Sequence, residues 1–322
     1  MKLSRTITLL GFLLAAILSA PAFGANTPLP GTLNYVEGQA QIGTEDLTAK
    51  SVGSADLKAG EKIATEKGRA EILLTPGVFL RLDNNSVAEM ISPSLTDTEV
   101  ELSKGRAMLE VAEVHKQNDI KIDQNGAATQ ILKDGLYAFD ANQGEIQVFD
   151  GKARVEANQK TDKTVELKGG REVNVSSDAP FKAQKFDKKK DVDDFYNWSA
   201  LRSQYESEAN VEVARFAPGG LAGPNWYWDP WFSAYTFVPG EGVFYSPFGW
   251  GFYSPAWIGY APYYSYGAPY RYYGRGFYDH DHGHSARPQF IAPRSGVAAP
   301  MRSTPAMHAQ GFGGFHGGTA RR

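Results

Sequence analysis

The chain has 322 residues, no cysteine, and 33 basic against 36 acidic side chains, a formal net charge of −3. That length holds one or two domains, and without disulfides any folded part must be stabilised by an ordinary apolar core. The near-neutral balance argues against a nucleic-acid-binding surface, and the absence of thiols excludes a cysteine nucleophile.

The first segment, residues 1–25, has a basic start at Lys2 and Arg5, an apolar run from Ile7 to Leu18, and a small-residue exit around Pro21 and Ala22. This is the grammar of a secretory signal peptide, with cleavage expected after Gly24 or Ala25. The run is shorter than the about 20 residues a spanning helix needs, so no stable transmembrane anchor is expected. The expected location is the periplasm, the cell surface or the medium.

Residues 33–177 alternate in period two. Phe79-Leu80-Arg81-Leu82 sends Leu80 and Leu82 to one face and Arg81 to the other, and Asp119-Ile120-Lys121-Ile122 repeats the pattern. Such alternation marks half-buried strands. Asp150-Gly151 and Gly169-Gly170 sit between strand-like segments and read as the turns of two tight hairpins. A weak repeat of Gly, polar, Ala, any, aliphatic recurs from Gly38, Gly68, Gly105 and Gly151. Its irregular spacing argues against a solenoid and fits the chemistry of strand entry. The expected fold is all-β, a sandwich or jelly-roll-like domain of many short strands, then one helix and an aromatic, Gly/Pro-rich, largely irregular tail.

The segments Val36-Glu37-Gly38-Gln39-Ala40, Ala59-Gly60-Glu61-Lys62-Ile63, Gly68-Arg69-Ala70-Glu71-Ile72 and Leu80-Arg81-Leu82-Asp83-Asn84-Asn85 resemble a FecR-type domain. Gly144-Glu145-Ile146-Gln147-Val148 and Leu167-Lys168-Gly169-Gly170-Arg171 are similar to its end. Thr75-Pro76-Gly77-Val78 departs from the family's usual Asp-Gly-Ser-like turn. The best-known members sense an outer-membrane transporter and signal to a sigma factor through a membrane helix and a cytoplasmic segment. With a cleaved signal peptide expected in place of both, the sigma-regulating role does not carry over by itself, and the resemblance implies an envelope β module that contacts other envelope components.

Residues 188–215 read as a helix with Asp191 as N-cap. Phe195, Trp198 and Tyr205 are its candidate partner-binding residues, although an aromatic helix after a β domain also packs on it. Residues 218–278 are rich in Gly, Pro, Tyr and Trp, and repeated prolines argue against long helices and central strands. Trp226, Trp228, Trp231, Trp250 and Trp257 are the candidate ligand-binding rings, since amphipathic aromatics suit interfaces and saccharides. Residues 279–322 read as a disordered tail, and His280, His282 and His284 within it as a weak metal-binding run.

No nucleophile elbow, phosphate-binding loop or dinucleotide fingerprint is present. The expected protein is a non-enzymatic envelope binding or scaffolding protein without a cofactor, engaging glycan, peptidoglycan or an envelope protein. The alternative is a soluble periplasmic component of a FecR-type signalling or iron-transport regulatory system. Neither reading fixes an oligomeric state.

Overall fold

The computed structural model describes residues 28–115, 117–157, 163–176, 181–216 and 224–262. The expected signal peptide and the His280, His282 and His284 run lie outside them. The strands come in chain order: β1 (Leu33–Ile42), β2 (Glu45–Asp46), β3 (Lys62–Leu73), β4 (Val78–Leu82), β5 (Val87–Ser94), β6 (Asp97–Lys104), β7 (Arg106–Val111) and β8 (Asp119–Gln124). They continue as β9 (Ala127–Ile131), β10 (Gly135–Asp140), β11 (Glu145–Asp150), β12 (Lys152–Glu156), β13 (Thr164–Lys168), β14 (Arg171–Asn174) and β15 (Gln184–Lys185). The helix α1 (Asp194–Phe216) follows. Two short antiparallel hairpins come last, β16 (Asn225–Asp229) with β17 (Ala234–Val238) and β18 (Val243–Tyr245) with β19 (Gly251–Tyr253), then a 3-10 turn at Pro255–Tyr260.

One continuous hydrogen-bonded sheet folds over into two layers. The first half of β3 pairs with β5, Ile63 opposite Ala88, whereas its second half pairs with β4, Ile72 opposite Leu80. β1 follows β3 along its whole length, so this long ribbon belongs to both layers. Layer one continues β3-β4-β7-β10-β11-β14-β15, and layer two continues β3-β5-β6-β8-β9-β12-β13. All pairings are antiparallel except β6 with β8.

The ribbon bends where Gly38 lies opposite Gly68. Gly38 has φ +67°, and a Cβ there would run into the Lys67 carbonyl oxygen. Only glycine brings two backbones this close at that φ. The remaining members of the repeat mark two of the other places where the chain changes layers: Gly105 between β6 and β7, and Gly151 between β11 and β12. Each is followed two residues later by an alanine in the core, Ala40, Ala70, Ala107 and Ala153.

This geometry corrects the two hairpins expected from sequence. β11 pairs with β10 and β14, and β12 pairs with β9 and β13. Asp150-Gly151 and Gly169-Gly170 are therefore crossings between layers. A glycine turn reverses or redirects a strand with the same local chemistry, and the core decides which.

The inner faces enclose a single apolar core. Ile72, Leu80, Leu109, Phe139 and Val148 come from layer one, and Ile63, Met90, Val100, Ile122 and Val155 from layer two. Burying each such side chain contributes about 1.5–3 kcal/mol. The outer face of layer two meets solvent. The outer face of layer one is covered by α1 and the aromatic hairpins, which together form a cap.

Residues 224–262 thus hold more order than their proline spacing indicates. They have few aliphatic side chains but borrow a core from the sheet. Trp226, Tyr235, Phe237 and Phe252 pack on Leu73, Phe79 and Ala112. The rings meet mostly edge-on, with Phe79 and Trp226 centroids 4.9 Å apart at 72°.

Candidate functional site

The centre of the covered face is charged. Period-two alternation sends Glu71 of β3, Arg81 of β4 and Glu110 of β7 outward, and the pairing puts Glu71 directly opposite Arg81. All three are completely buried beneath α1, which contributes Arg202 and Glu206. Arg81 distributes its guanidinium over three carboxylates: Nε donates to Glu71 at 2.7 Å, Nη1 to Glu110 at 2.5 Å and Nη2 to Glu206 at 2.9 Å. Arg202 Nη2 donates to the other Glu71 oxygen at 3.0 Å, and its guanidinium lies 4.0 Å from the centroid of the Tyr35 ring.

Hydroxyls and amides complete the network. Ser203 and Ser246 both donate to Glu110 Oε1. Asn34 Nδ2 donates to Glu71 and to the Tyr235 carbonyl. Asn210 Nδ2 donates to the carbonyls of Phe237 and Tyr253, tying the helix to both hairpins. The buried face of α1 is therefore polar, carrying Ser199, Arg202, Ser203, Glu206, Ser207 and Asn210. Buried groups of this kind need partners; the sheet supplies them to Arg202 and Ser203, and the hairpins to Ser207 and Asn210.

Electrostatics separate Glu71 from Glu206. Burial alone pushes Glu71 up, but Arg202 and Arg81 outweigh it and hold the group below the usual carboxylate range. Burial, then the charge of Glu71, pushes Glu206 well above that range despite the pull of Arg81 and Arg202. Burial opposes the charge on Arg81, and Glu110, Glu206 and Glu71 overcome it, so the guanidinium stays charged. Arg202 is 7% exposed and the other charged members at most 1%, so the cluster presents no open face to a substrate. Its chemistry is to hold two faces together and to store charge.

The sequence candidates fall on both sides of the cap. Trp226 is buried in the packing against Phe79, so it is a core residue and not an exposed binding ring. Trp228 and Trp250 are half-buried, Trp228 against Tyr235 and Trp250 beside the Phe248 cluster. Trp231 is 75% exposed and Trp257 44%. On the helix, Phe195 is buried between the guanidinium groups of Arg69 and Arg106, at 5.8 and 5.4 Å. Trp198 is half-buried over Arg69, whereas Tyr205 and Leu201 are exposed, with Phe232 centred 6.3 Å from Tyr205. The N-cap is Asp193, which accepts the Tyr196 amide at 2.9 Å, and not Asp191, which accepts from Gln147.

A shallow groove of about 440 Å³ lies at the ribbon bend, lined by Glu37, Lys67, Arg69, Asn84 and Asn85 among others. Among the described residues no group of three or more His, Asp or Glu side chains is arranged to hold a metal ion.

A family model described as FecR protein matches residues 61–154. The match runs from the start of β3 into β12, so it contains Glu71, Arg81 and Glu110 and leaves the whole cap outside. Two solved structures, both putative anti-sigma factors from Parabacteroides distasonis ATCC 8503, are similar at 13% and 14% identity. Each comparison covers 56% of this chain, with 99% and 85% of theirs, at TM-scores of 0.35 and 0.34. No curated protein matches the chain.

Proposed function

We propose that this chain, which carries a FecR domain, is an exported regulatory component of a FecR-type signalling or iron-transport system and works by contact with an envelope protein. The observation that carries the reading is the family match over residues 61–154, which spans most of both layers. The leader-like residues 1–25 support placement on the envelope side of the inner membrane. A site built of fully buried ion pairs fits transmission through contacts between elements, not turnover of a substrate.

Photo-crosslinking from position 201 or 231 of the full-length chain in intact cells tests the reading. A crosslink to a transporter or to a sigma-regulating protein supports it. Labelling confined to glycan sinks it.

The exposed rings favour a second reading, adhesion to glycan or peptidoglycan. Trp231, Tyr245, Trp257 and Tyr260 are all more than two-fifths exposed. If they form the binding surface, Trp231→Ala with Trp257→Ala lowers peptidoglycan co-sedimentation affinity at least about tenfold, in the range of aromatic contact residues. Unchanged sedimentation removes this reading.

A further inference from the structure

The charged centre joins residues inside the FecR match to residues outside it. Glu71, Arg81 and Glu110 lie inside the FecR match, and their partners Arg202, Ser203, Glu206 and Ser246 lie outside it. Apolar contact flanks the centre on two sides. Leu73, Phe79 and Ala112 meet the hairpin rings on one, and Met108, Leu136 and Phe149 meet Phe195 and Phe248 on the other. A charged interface stabilises less than an apolar one of the same shape, and each half of it is readily hydrated when apart.

The inventory of the cluster is uneven. It has three carboxyl groups and two guanidinium groups, so full ionisation leaves one uncompensated negative charge in a buried site. The donors identify the odd group. Both oxygens of Glu71 and both oxygens of Glu110 accept hydrogen bonds. Glu206 Oε2 accepts from Arg81, but Glu206 Oε1 is buried with no hydrogen-bond partner, 3.5 Å from Arg202 Nη2. That oxygen is the place for a proton, and one proton there makes the cluster neutral.

We propose that α1 and the hairpins are a releasable cap and that Glu206 is its proton-controlled latch, closed when protonated and loosened when the carboxyl ionises. Release uncovers the outer face of layer one around Arg81. The groups that face Glu206 are Glu71 from β3, Arg81 from β4 and Arg202 from its own helix; Glu110 of β7 stands on the far side of Arg81, and Tyr35 of β1 over Arg202. From β17 the Thr236 hydroxyl donates to the Glu206 backbone carbonyl. Burial pushes the Tyr35 phenol up to about 12, far from neutrality. The inference stands on the interface itself and does not require the signalling reading.

Hydrogen exchange on the full-length protein between about pH 5 and about pH 8 is the test. Exchange of α1 and β17 amides is measured relative to β12 amides in the same molecule, which removes the intrinsic base catalysis. Opening that sheds one proton makes this ratio rise about tenfold per pH unit above the ordinary glutamate value, until the closed-state carboxyl itself ionises. In Glu206→Gln, which keeps an acceptor for Arg81 and carries no charge, the ratio stays flat. A flat ratio in the wild-type protein overturns the proposal without recourse to any variant. An equal rise in Glu206→Gln also overturns it, as does loosening of β12 together with the cap, which is unfolding and not release.

Discussion

Arg81 commits three nitrogens to three carboxyl groups and is completely buried. Removing one member of such a network leaves the others buried and uncompensated, which costs about 3–5 kcal/mol. Arg81→Met therefore lowers stability by that amount in urea unfolding near neutral pH. The loss is smaller in acid, where the carboxyl groups bind protons. A different side chain sets a pH dependence in layer two. Burial, then the charge of Glu99, pushes Asp123 up to about 7. A carboxyl group raised on folding adds stability that is complete below about pH 4, the unfolded value, and lost as pH rises through the folded value. Thermal melts should thus show the protein gaining stability as pH falls from about 7 towards about 5, and Asp123→Asn should flatten that part of the curve. An unchanged profile in the variant would place the titration elsewhere.

At the scale of elements, α1 shows how far context overrides pattern. Its exposed side carries Leu201 and Tyr205, and its buried side carries Arg202, Ser203, Glu206 and Asn210. Hydrophobic periodicity assigns burial by apolarity, so a helix that docks on a charged sheet face is read with its faces exchanged. The start of the helix is local chemistry and is sharper. Asp193 caps the Tyr196 amide and also pairs with Arg106 at 2.7 Å. Asp193→Ala should cost about 1 kcal/mol, typical of a lost N-cap, while Asp191→Ala should leave the helix start intact. Amide exchange at Phe195 and Tyr196 distinguishes the two. The aromatic hairpins obey the same logic as the helix. Trp226 and Phe237 look like loop aromatics in sequence because their aliphatic partners, Leu73 and Ala112, lie far away along the chain.

For the whole molecule, the glycine corners decide that one sheet becomes two layers. Gly38 and Gly43 have nearly the same backbone, φ +67° and +59°, but Gly38 faces the Lys67 carbonyl and Gly43 faces open space. Gly38→Ala should cost about 1–3 kcal/mol for φ alone plus the displacement of β3, and Gly43→Ala only the first part. Equal losses in chemical denaturation would remove the close approach as the reason for the bend. The sequence by itself determined the strands, the core alanines and the turn glycines, because period-two alternation and positive φ are properties of a few adjacent residues. It also carried the resemblance of residues 33–177 to the FecR domain, which the match over 61–154 supports. The tertiary structure alone decided which outward face is wet. Arg81 and Lys121 sit in the same alternation, flanked by Leu80 and Leu82 or by Ile120 and Ile122. Lys121 keeps its ammonium at the surface among Asp97, Glu99 and Asp119, whereas Arg81 is sealed by Glu206, 125 residues further along the chain. No local pattern distinguishes these two strands, because the difference is what another part of the chain places on top of them.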